Sequence, residues 1–304
     1  MIKLEKIRDL DIDAGTRSSA TYLSAASGLV GVGATLYVVA DDDLHLAAFP
    51  VHGSAPGRLI RLFDGALPDE NVDRKRVKPD LEALVHLPPC QEFMFGALLA
   101  IGSGSRANRK RGALLCFDNS GAVATPAKSV DLTFILDPLA AAFSQLNIEG
   151  AVVAGRELRL FQRGNTRLND NAVIRYPLSS VMDGIVNGRI EPLGPAAIER
   201  FDLGAIRGTS FSFTDAAVLP TGDMIFSAVA ENTEDAYLDG PCLGAGIGMI
   251  DDLGDLISFD RFEYPHKVEG VHVRQAGDVL ELLLVTDADN PDIPAGLFSA
   301  RIVR

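Results

Sequence analysis

The chain has 304 residues, 47% of them hydrophobic, and carries 41 acidic against 28 basic side chains for a formal net charge of −13. That balance argues against a nucleic-acid backbone or an anionic membrane as partner and leaves a cation or cationic ligand open. Cys90, Cys116 and Cys242 lie far apart without a CxxC pair, so neither a zinc cluster nor a disulfide framework is expected.

The N-terminal MIKLEKIRDLDID has no apolar core and no small-residue cleavage site, so it does not read as a signal peptide. No run approaches the roughly 18 apolar residues of a membrane span, and a cytoplasmic location is the expectation. Residues 2–7 (IKLEKI) read as a short strand standing ahead of everything that repeats.

From Ser27 onward one phrase recurs five times: a small or acidic residue, then Gly or Ala, then aliphatics. It reads SGLVGV from Ser27, EALVHL from Glu82, EGAVVA from Glu149, DAAVLP from Asp215 and EGVHVR from Glu269, at spacings of about 55, 67, 66 and 54 residues. A period of this size marks repeated supersecondary units. Each phrase runs into a turn and then a second apolar run: TLYVVA, ALLAIG, ELRLFQ, DMIFSA or VLELLLV. Most of these turns hold Gly, Asp or Pro, which is hairpin chemistry. Third runs follow (LHLAAFPV, GALLCFD, NAVIRYPL, GIGMID, AGLFSARIV), and fourth runs are expected at 58–63, 130–136, about 189–193 and 256–262.

Four short strands per unit is the size of a propeller blade. The fifth unit ends after three strands, and the strand at 2–7 is placed to complete it, which would close the ring and remove two exposed sheet edges. Residues 1–304 are therefore expected to form a single all-β domain, a five-bladed β-propeller. Six blades is the alternative, if residues 189–213 hold a further unit. A helical turn is expected over 138–145.

In an antiparallel blade the start of the first strand and the end of the second lie at the same end of the sheet. Ser27, Glu82, Glu149, Asp215 and Glu269 are thus expected around one mouth of the central channel. The polar loops leaving the second strands join them there, among them Asp41-Asp42-Asp43, Arg163-Gly164-Asn165 and Asp287-Ala288-Asp289-Asn290. Carboxylates at about 4 Å repel by on the order of 1 kcal/mol in water and several times that near protein. A hard divalent cation such as Ca²⁺, paired arginines, or protonation of one acid would each relieve this.

The expected ligand-binding set is Glu82, Glu149, Asp215 and Glu269 with Arg106, Arg163 and Asn165, and a cation would fall to Glu149, Glu269 and Asp287. The competing structural reading is that these polar residues only hydrogen-bond neighbouring backbone across the channel. The basic run 106–111 reads either as a solvated loop or as an anion clamp at the acidic mouth. Gly244-Ala245-Gly246-Ile247-Gly248 follows a polar loop and precedes no helix, so no nucleotide cofactor is expected. Neither a Ser-His-Asp order nor a nucleophile elbow stands out.

The phrases Asn147-Ile148-Glu149-Gly150 and Val268-Glu269-Gly270-Val271, with Arg163-Gly164-Asn165 a strand later, resemble bacterial propellers of the phytase-like esterase and SdiA-regulated kind. They also resemble an uncharacterised bacterial propeller family of unknown function. The resemblance implies a glutamate facing the channel, sometimes near Ca²⁺. It departs at Ser27, which replaces the acid, and at Ala216, which replaces the glycine. The leading expectation is a protein that binds a small polar ligand at the acidic mouth, through a divalent cation or without one. A metal-dependent hydrolase of phosphate esters or lactones and a protein-interaction scaffold are the alternatives.

Overall fold

The structure is a computed structural model that describes residues 1–15, 21–124, 126–165, 168–232 and 240–304. After an N-terminal strand β1 (Glu5–Asp9), blade 1 holds β2 (Ala26–Val32), β3 (Thr35–Ala40), β4 (His45–Pro50) and β5 (Arg58–Arg61). Blade 2 holds β6 (Leu81–Leu87), β7 (Ala97–Gly102), β8 (Arg111–Cys116) and β9 (Lys128–Asp131). Blade 3 follows with β10 (Ile148–Ala154), β11 (Glu157–Gln162), β12 (Ala172–Pro177) and β13 (Ala197–Arg200). A small hairpin of β14 (Ala205–Ile206) and β15 (Thr209–Ser210) leads to blade 4, which holds β16 (Ser212–Val218), β17 (Met224–Glu231), β18 (Cys242–Ile250) and β19 (Leu256–Arg261). Blade 5 holds β20 (Val268–Ala276), β21 (Val279–Thr286) and β22 (Gly296–Val303), with β1 as its fourth strand in the order β1-β22-β21-β20. The chain is an all-β propeller of five blades, each an antiparallel four-stranded sheet.

Closure reaches beyond blade 5. Ile2 N–H donates to Arg261 O of blade 4 at 2.9 Å, Leu10 N–H donates to Ala295 O of blade 5, and Gly57 of blade 1 exchanges backbone bonds with Asp11 and Asp13. The first residues thus stitch three blades together and leave no open seam edge on blade 5. Three features differ from the sequence expectation, the first being that the fourth strand of blade 2 is Lys128–Asp131 rather than 130–136, whose second half is helical. The fourth strand of blade 3 is Ala197–Arg200 rather than 189–193, because a helix, Leu178–Asn187, follows β12 and ends on Gly188 with φ +65°. Glycine adopts that left-handed conformation without strain. The helical turn expected over 138–145 starts earlier, as helix Thr133–Leu136 and the 3₁₀ turn Asp137–Ala141. Among the described residues no helix is long and apolar enough to cross a membrane.

The innermost strands are β2, β6, β10, β16 and β20, and at the repeated phrase they run side against side. A Cβ on Gly28 would lie 2.7 Å from Leu84 N, and one on Gly150 would lie 3.0 Å from Asp215 Cα. One on Gly270 would lie 2.9 Å from Leu29 Cβ and closer still to Ser27 O. The small second residue of the phrase is therefore a packing requirement at the axis. At the same place every inner strand slips register against its partner, between Ala26 and Leu29, Leu81 and Ala83, Ile148 and Gly150, Phe213 and Asp215, and Val268 and Gly270. These are β-bulges, which insert a residue and re-aim its side chain.

Replacing Gly270 by Ala should cost about 1–3 kcal/mol by overpacking. Gly194→Ala, where a Cβ meets nothing within 4 Å, should stay within about 0.5 kcal/mol. Urea denaturation of the two variants reads the difference, and equal stabilities would contradict the packing account.

Candidate functional site

The bulges decide which side chains reach the mouth. Glu82, Glu149 and Glu269 are the inserted residues of β6, β10 and β20, whereas Thr214 holds that place in β16 and Ser27 with Gly28 in β2. Asp215 therefore stands one step along, at the position of Gly150 and Gly270. It is 1% exposed, and its Oδ2 accepts N–H bonds from Val271 at 2.9 Å and Leu29 at 3.3 Å. One carboxylate thus ties the inner strands of blades 1, 4 and 5 together. Its other oxygen takes no hydrogen bond, and burial pushes its pKa well above the usual carboxylate range. The expected ring of four equivalent acids is a ring of three glutamates, with Asp215 set apart as a backbone tie.

Two further rings surround the three glutamates. Two residues before the bulge stand Ala25, Asp80, Asn147, Ser212 and Lys267, because alternation returns the same face of a strand every second residue. Where the second strands end, backbone bonds run from Asp41 N to Ala25 O, Ser103 N to Asp80 O, Arg163 N to Asn147 O and Asp287 N to Lys267 O. Those bonds fix Asp41, Ser103, Arg163 and Asp287 at the mouth as equivalents of one another.

The charged groups fall into two sets, each centred on buried cations. In blades 3 to 5, Arg163 lies 3.3 Å from Glu149 and 3.8 Å from Glu269 and pairs closely with Glu231. Lys267 adds contacts to Glu269 at 3.6 Å, Glu231 at 3.9 Å and Asp289 at 2.5 Å. Asn147 Nδ2–H donates to Glu149 at 2.5 Å. Burial alone would weaken the positive charge of Arg163, but Glu149, Glu231 and Glu269 outweigh it and hold the guanidinium firmly charged. Burial raises the pKa of both Glu149 and Glu269, with Arg163 and Lys267 opposing the rise. Glu269 Oε1 is buried and takes no hydrogen bond.

In blades 1 and 2, Lys78 pairs with Asp41 and sits 2.9 Å from Asp80, whose other oxygen binds Arg109 at 2.7 Å and Ser103 Oγ at 2.5 Å. The carboxylates of Asp41, Asp80 and Glu82 offer oxygens within 4.8 Å of one another. Glu82 lies between the two sets. It takes no hydrogen bond and no ion pair within 4 Å among the described residues, and burial, Glu149, Asp80 and Asp41 push its pKa well up against the opposing charge of Lys78. Asp287 is pushed up to about 8 by burial, with Lys267 opposing and Asp41 and Asp289 adding to the rise.

The remaining sequence candidates divide. Arg163 is the hub of one set. Asn165 organises its own loop, donating to Gln145 Oε1 at 2.6 Å and accepting from Leu168 N–H at 2.8 Å. Arg106 is exposed on the loop before β8. The rest of its basic run is engaged locally: Arg109 on Asp80, Lys110 on Asp137 at 2.7 Å, and Arg111 over the Phe63 ring at 4.4 Å. Among the described residues, the carboxylates that gather as a potential cation cage are Asp41, Asp80 and Glu82, rather than Glu149, Glu269 and Asp287. The fit of a metal to that cage is limited, because the Lys78 ammonium already lies against two of its three members. Sequence reading missed Lys78, Asp80 and Lys267 as site residues, and placed Glu231 in a polar loop at this mouth without giving it a role. The polar–apolar–polar alternation of Asp80-Leu81-Glu82, Asn147-Ile148-Glu149 and Lys267-Val268-Glu269 carried the signal for two of them.

Residues 22–302 match a family model described as a family of unknown function, DUF6929. The chain belongs to that family. The match supports the uncharacterised-propeller side of the sequence resemblance and lends nothing to the phytase-like or SdiA-regulated side. No curated protein matches this DUF6929 member. Among solved structures it is similar to the α-L-arabinofuranosidase PaAbf62A from Podospora anserina, crystallised in complex with cellotriose. The identity is 9%, the TM-score is 0.51, and 99% of this chain and 97% of that chain are covered. It is also similar to the catalytic domain of a GH62 α-L-arabinofuranosidase from Coprinopsis cinerea, at 8% identity and a TM-score of 0.49, covering 99% and 96% of the two chains. At such identity the likeness shows the fold alone.

Removing the hub should leave three buried glutamates without their arginine. Arg163→Gln is expected to lose about 3–5 kcal/mol at pH 7, with the loss shrinking toward pH 4 as the glutamates protonate; denaturation at both pH values checks this. Asp287 gives a second test with the opposite reference state. Its folded pKa of about 8 exceeds the ordinary 3.8, so between those values the unfolded chain holds fewer protons than the folded one. Its contribution to stability therefore falls as pH rises from about 4 to about 8. Asp287→Asn should flatten the stability profile over that window, and an unchanged slope would contradict the assignment.

Proposed function

We propose that this family member binds a small polar ligand at the acidic mouth through a positively charged group on that ligand. The observation that carries the reading is the charge balance there. Asp41, Asp80, Glu82, Glu149, Glu231, Glu269, Asp287 and Asp289 face Lys78, Arg109, Arg163 and Lys267, and Glu82 has no counter-ion of its own within 4 Å. Buried acids left without a cation cost free energy, and an incoming cation would recover part of it.

An ammonium or guanidinium group suits the mouth because it needs only Glu82 and the free lone pairs of its neighbours. A divalent cation needs six or more oxygens if it is Ca²⁺, or near-octahedral geometry if it is Mg²⁺, and would compete with the Lys78 ammonium for Asp41 and Asp80. Arg163 and Lys267 then serve to favour the ionised forms of Glu149 and Glu269 against burial and to fix their positions, so that the ligand meets a formed surface.

The test is thermal unfolding of the full chain with spermidine, with arginine and with Ca²⁺, Mg²⁺ or Mn²⁺, each titrated at constant ionic strength. A ligand at 100 times its Kd should add about 2.7 kcal/mol. A saturable upward shift that Glu82→Gln abolishes supports the reading. The absence of any saturable shift across all five probes overturns it.

A further inference from the structure

Away from the mouth, at the end where the β2–β3 and β20–β21 hairpins turn, a cleft of about 950 Å³ opens between blade 5 and blade 1. A volume of this order accommodates a small molecule. Its polar lining includes Lys3, His272, Arg274, Glu281, Ser299 and Arg301. Lys3 stands two residues before the closing strand β1 begins, so the cleft lies on the seam that joins the two ends of the chain.

Its charge runs against that of the chain as a whole. Glu281 is the shared counter-ion of both arginines, pairing closely with Arg274 and lying 3.5 Å from Arg301. Among the described residues Lys3 has only a long ion-pair contact of 3.9 Å, to Glu5. Three cations thus meet two carboxylates in a protein whose formal net charge is −13. Both guanidiniums are largely exposed, at 73% and 77%, and one carboxylate cannot occupy the five N–H donors that each presents.

His272 adds a donor of fixed polarity. Gly31 N–H donates to His272 Nδ1 at 3.3 Å, which assigns the proton of the neutral ring to Nε2. Burial lowers the pKa of His272 and favours that neutral form. The ring takes the space over Gly31, where a Cβ would lie 2.6 Å from Nε2, so residue 31 has no side chain and the imidazole is seated against the backbone of blade 1. Apart from the carboxylates of Glu5 and Glu281, this lining thus offers the donors of Lys3, Arg274, Arg301 and His272, with Ser299 supplying a hydroxyl.

We propose that the seam cleft binds a small oxyanion, the phosphate or carboxylate group of a small molecule, between Lys3, Arg274, Arg301 and the Nε2–H of His272. Arginine forks engage either group in bidentate fashion, which gives orientation as well as attraction. The bound anion would also tie the segment that precedes the closing strand to blade 5 and so strengthen ring closure.

The experiment is isothermal titration calorimetry of the full chain with inorganic phosphate and, separately, with citrate, at constant ionic strength. Saturable binding of phosphate assigns the phosphate source, and saturable binding of citrate alone assigns the carboxylate source. In either case the Arg274→Gln, Arg301→Gln double variant should bind at least tenfold more weakly, and Lys3→Gln should weaken binding as well. Glu82→Gln, at the opposite mouth, should leave the affinity unchanged. The altered side chains are exposed, and an unchanged Tm without anion confirms that the variants are folded. The proposal is overturned if neither anion saturates, or if the double variant binds within twofold of the parent.

Discussion

Where five inner strands converge on one axis, those of blades 1, 3 and 5 have no room for a Cβ at their point of closest approach, and the rest of the site follows from that constraint. Gly28, Gly150 and Gly270 sit where a Cβ would enter the backbone or side chains of the next blade. A regular strand would turn every second side chain toward that crowded line. The bulge in each inner strand relieves the crowding by adding a residue, and the added residue is delivered to the mouth. The recurring acid-glycine pair is thus one structural device: the glycine permits approach, and the acid beside it occupies the position that the bulge creates.

Delivering glutamates to a buried rim then sets an electrostatic requirement. Each ionised carboxylate loses hydration, and the loss is tolerable only with a cation or a proton near by. The chain supplies cations unevenly. Arg163 and Lys267 serve blades 3 to 5, Lys78 and Arg109 serve blades 1 and 2, and Glu82 falls between the sets. A buried ion pair seldom adds much net stability, because desolvation offsets its attraction, yet removing one partner exposes the full penalty of the other. The hub residues are therefore better understood as fixing the shape and charge of the mouth than as the source of the fold's stability, which lies in the apolar layers between blades.

The blade count and the N-terminal closure were readable because both are periodic, and hydrophobic runs at regular spacing survive in the sequence. The non-equivalence of Asp215 with the glutamates was not readable. A bulge shifts register by one residue, and DAAV matches EGAV by eye while Thr214, one step earlier, holds the structural position of Glu149. The helix Leu178–Asn187 hid for another reason. It follows directly on β12, and its apolar residues extended a run that already read as strand. Lys267 and Asp80 were open to discovery, since period-two alternation carries the same face back two residues from each glutamate. The polar loop after a second strand put Glu231 at the mouth, but its pairing with Arg163 was not readable because it spans 68 residues of chain.

A repeat with five near-equal units would by itself build a symmetric mouth, and a symmetric ring of acids has no preferred orientation for a ligand. What breaks the symmetry is the set of substitutions at equivalent places: Ser27 and Thr214 for glutamate, Lys267 for Asp80 and Asn147, and Arg163 for Asp41, Ser103 and Asp287. Each replaces one charge type by another on an unchanged backbone position. Together they sort a uniform ring into two unlike clusters, one of Arg163 and Lys267 among Glu149, Glu231, Glu269 and Asp289, and one of Lys78 and Arg109 among Asp41, Asp80 and Glu82. The fold sets where the side chains stand, and these few exchanges set how charge is distributed around the mouth.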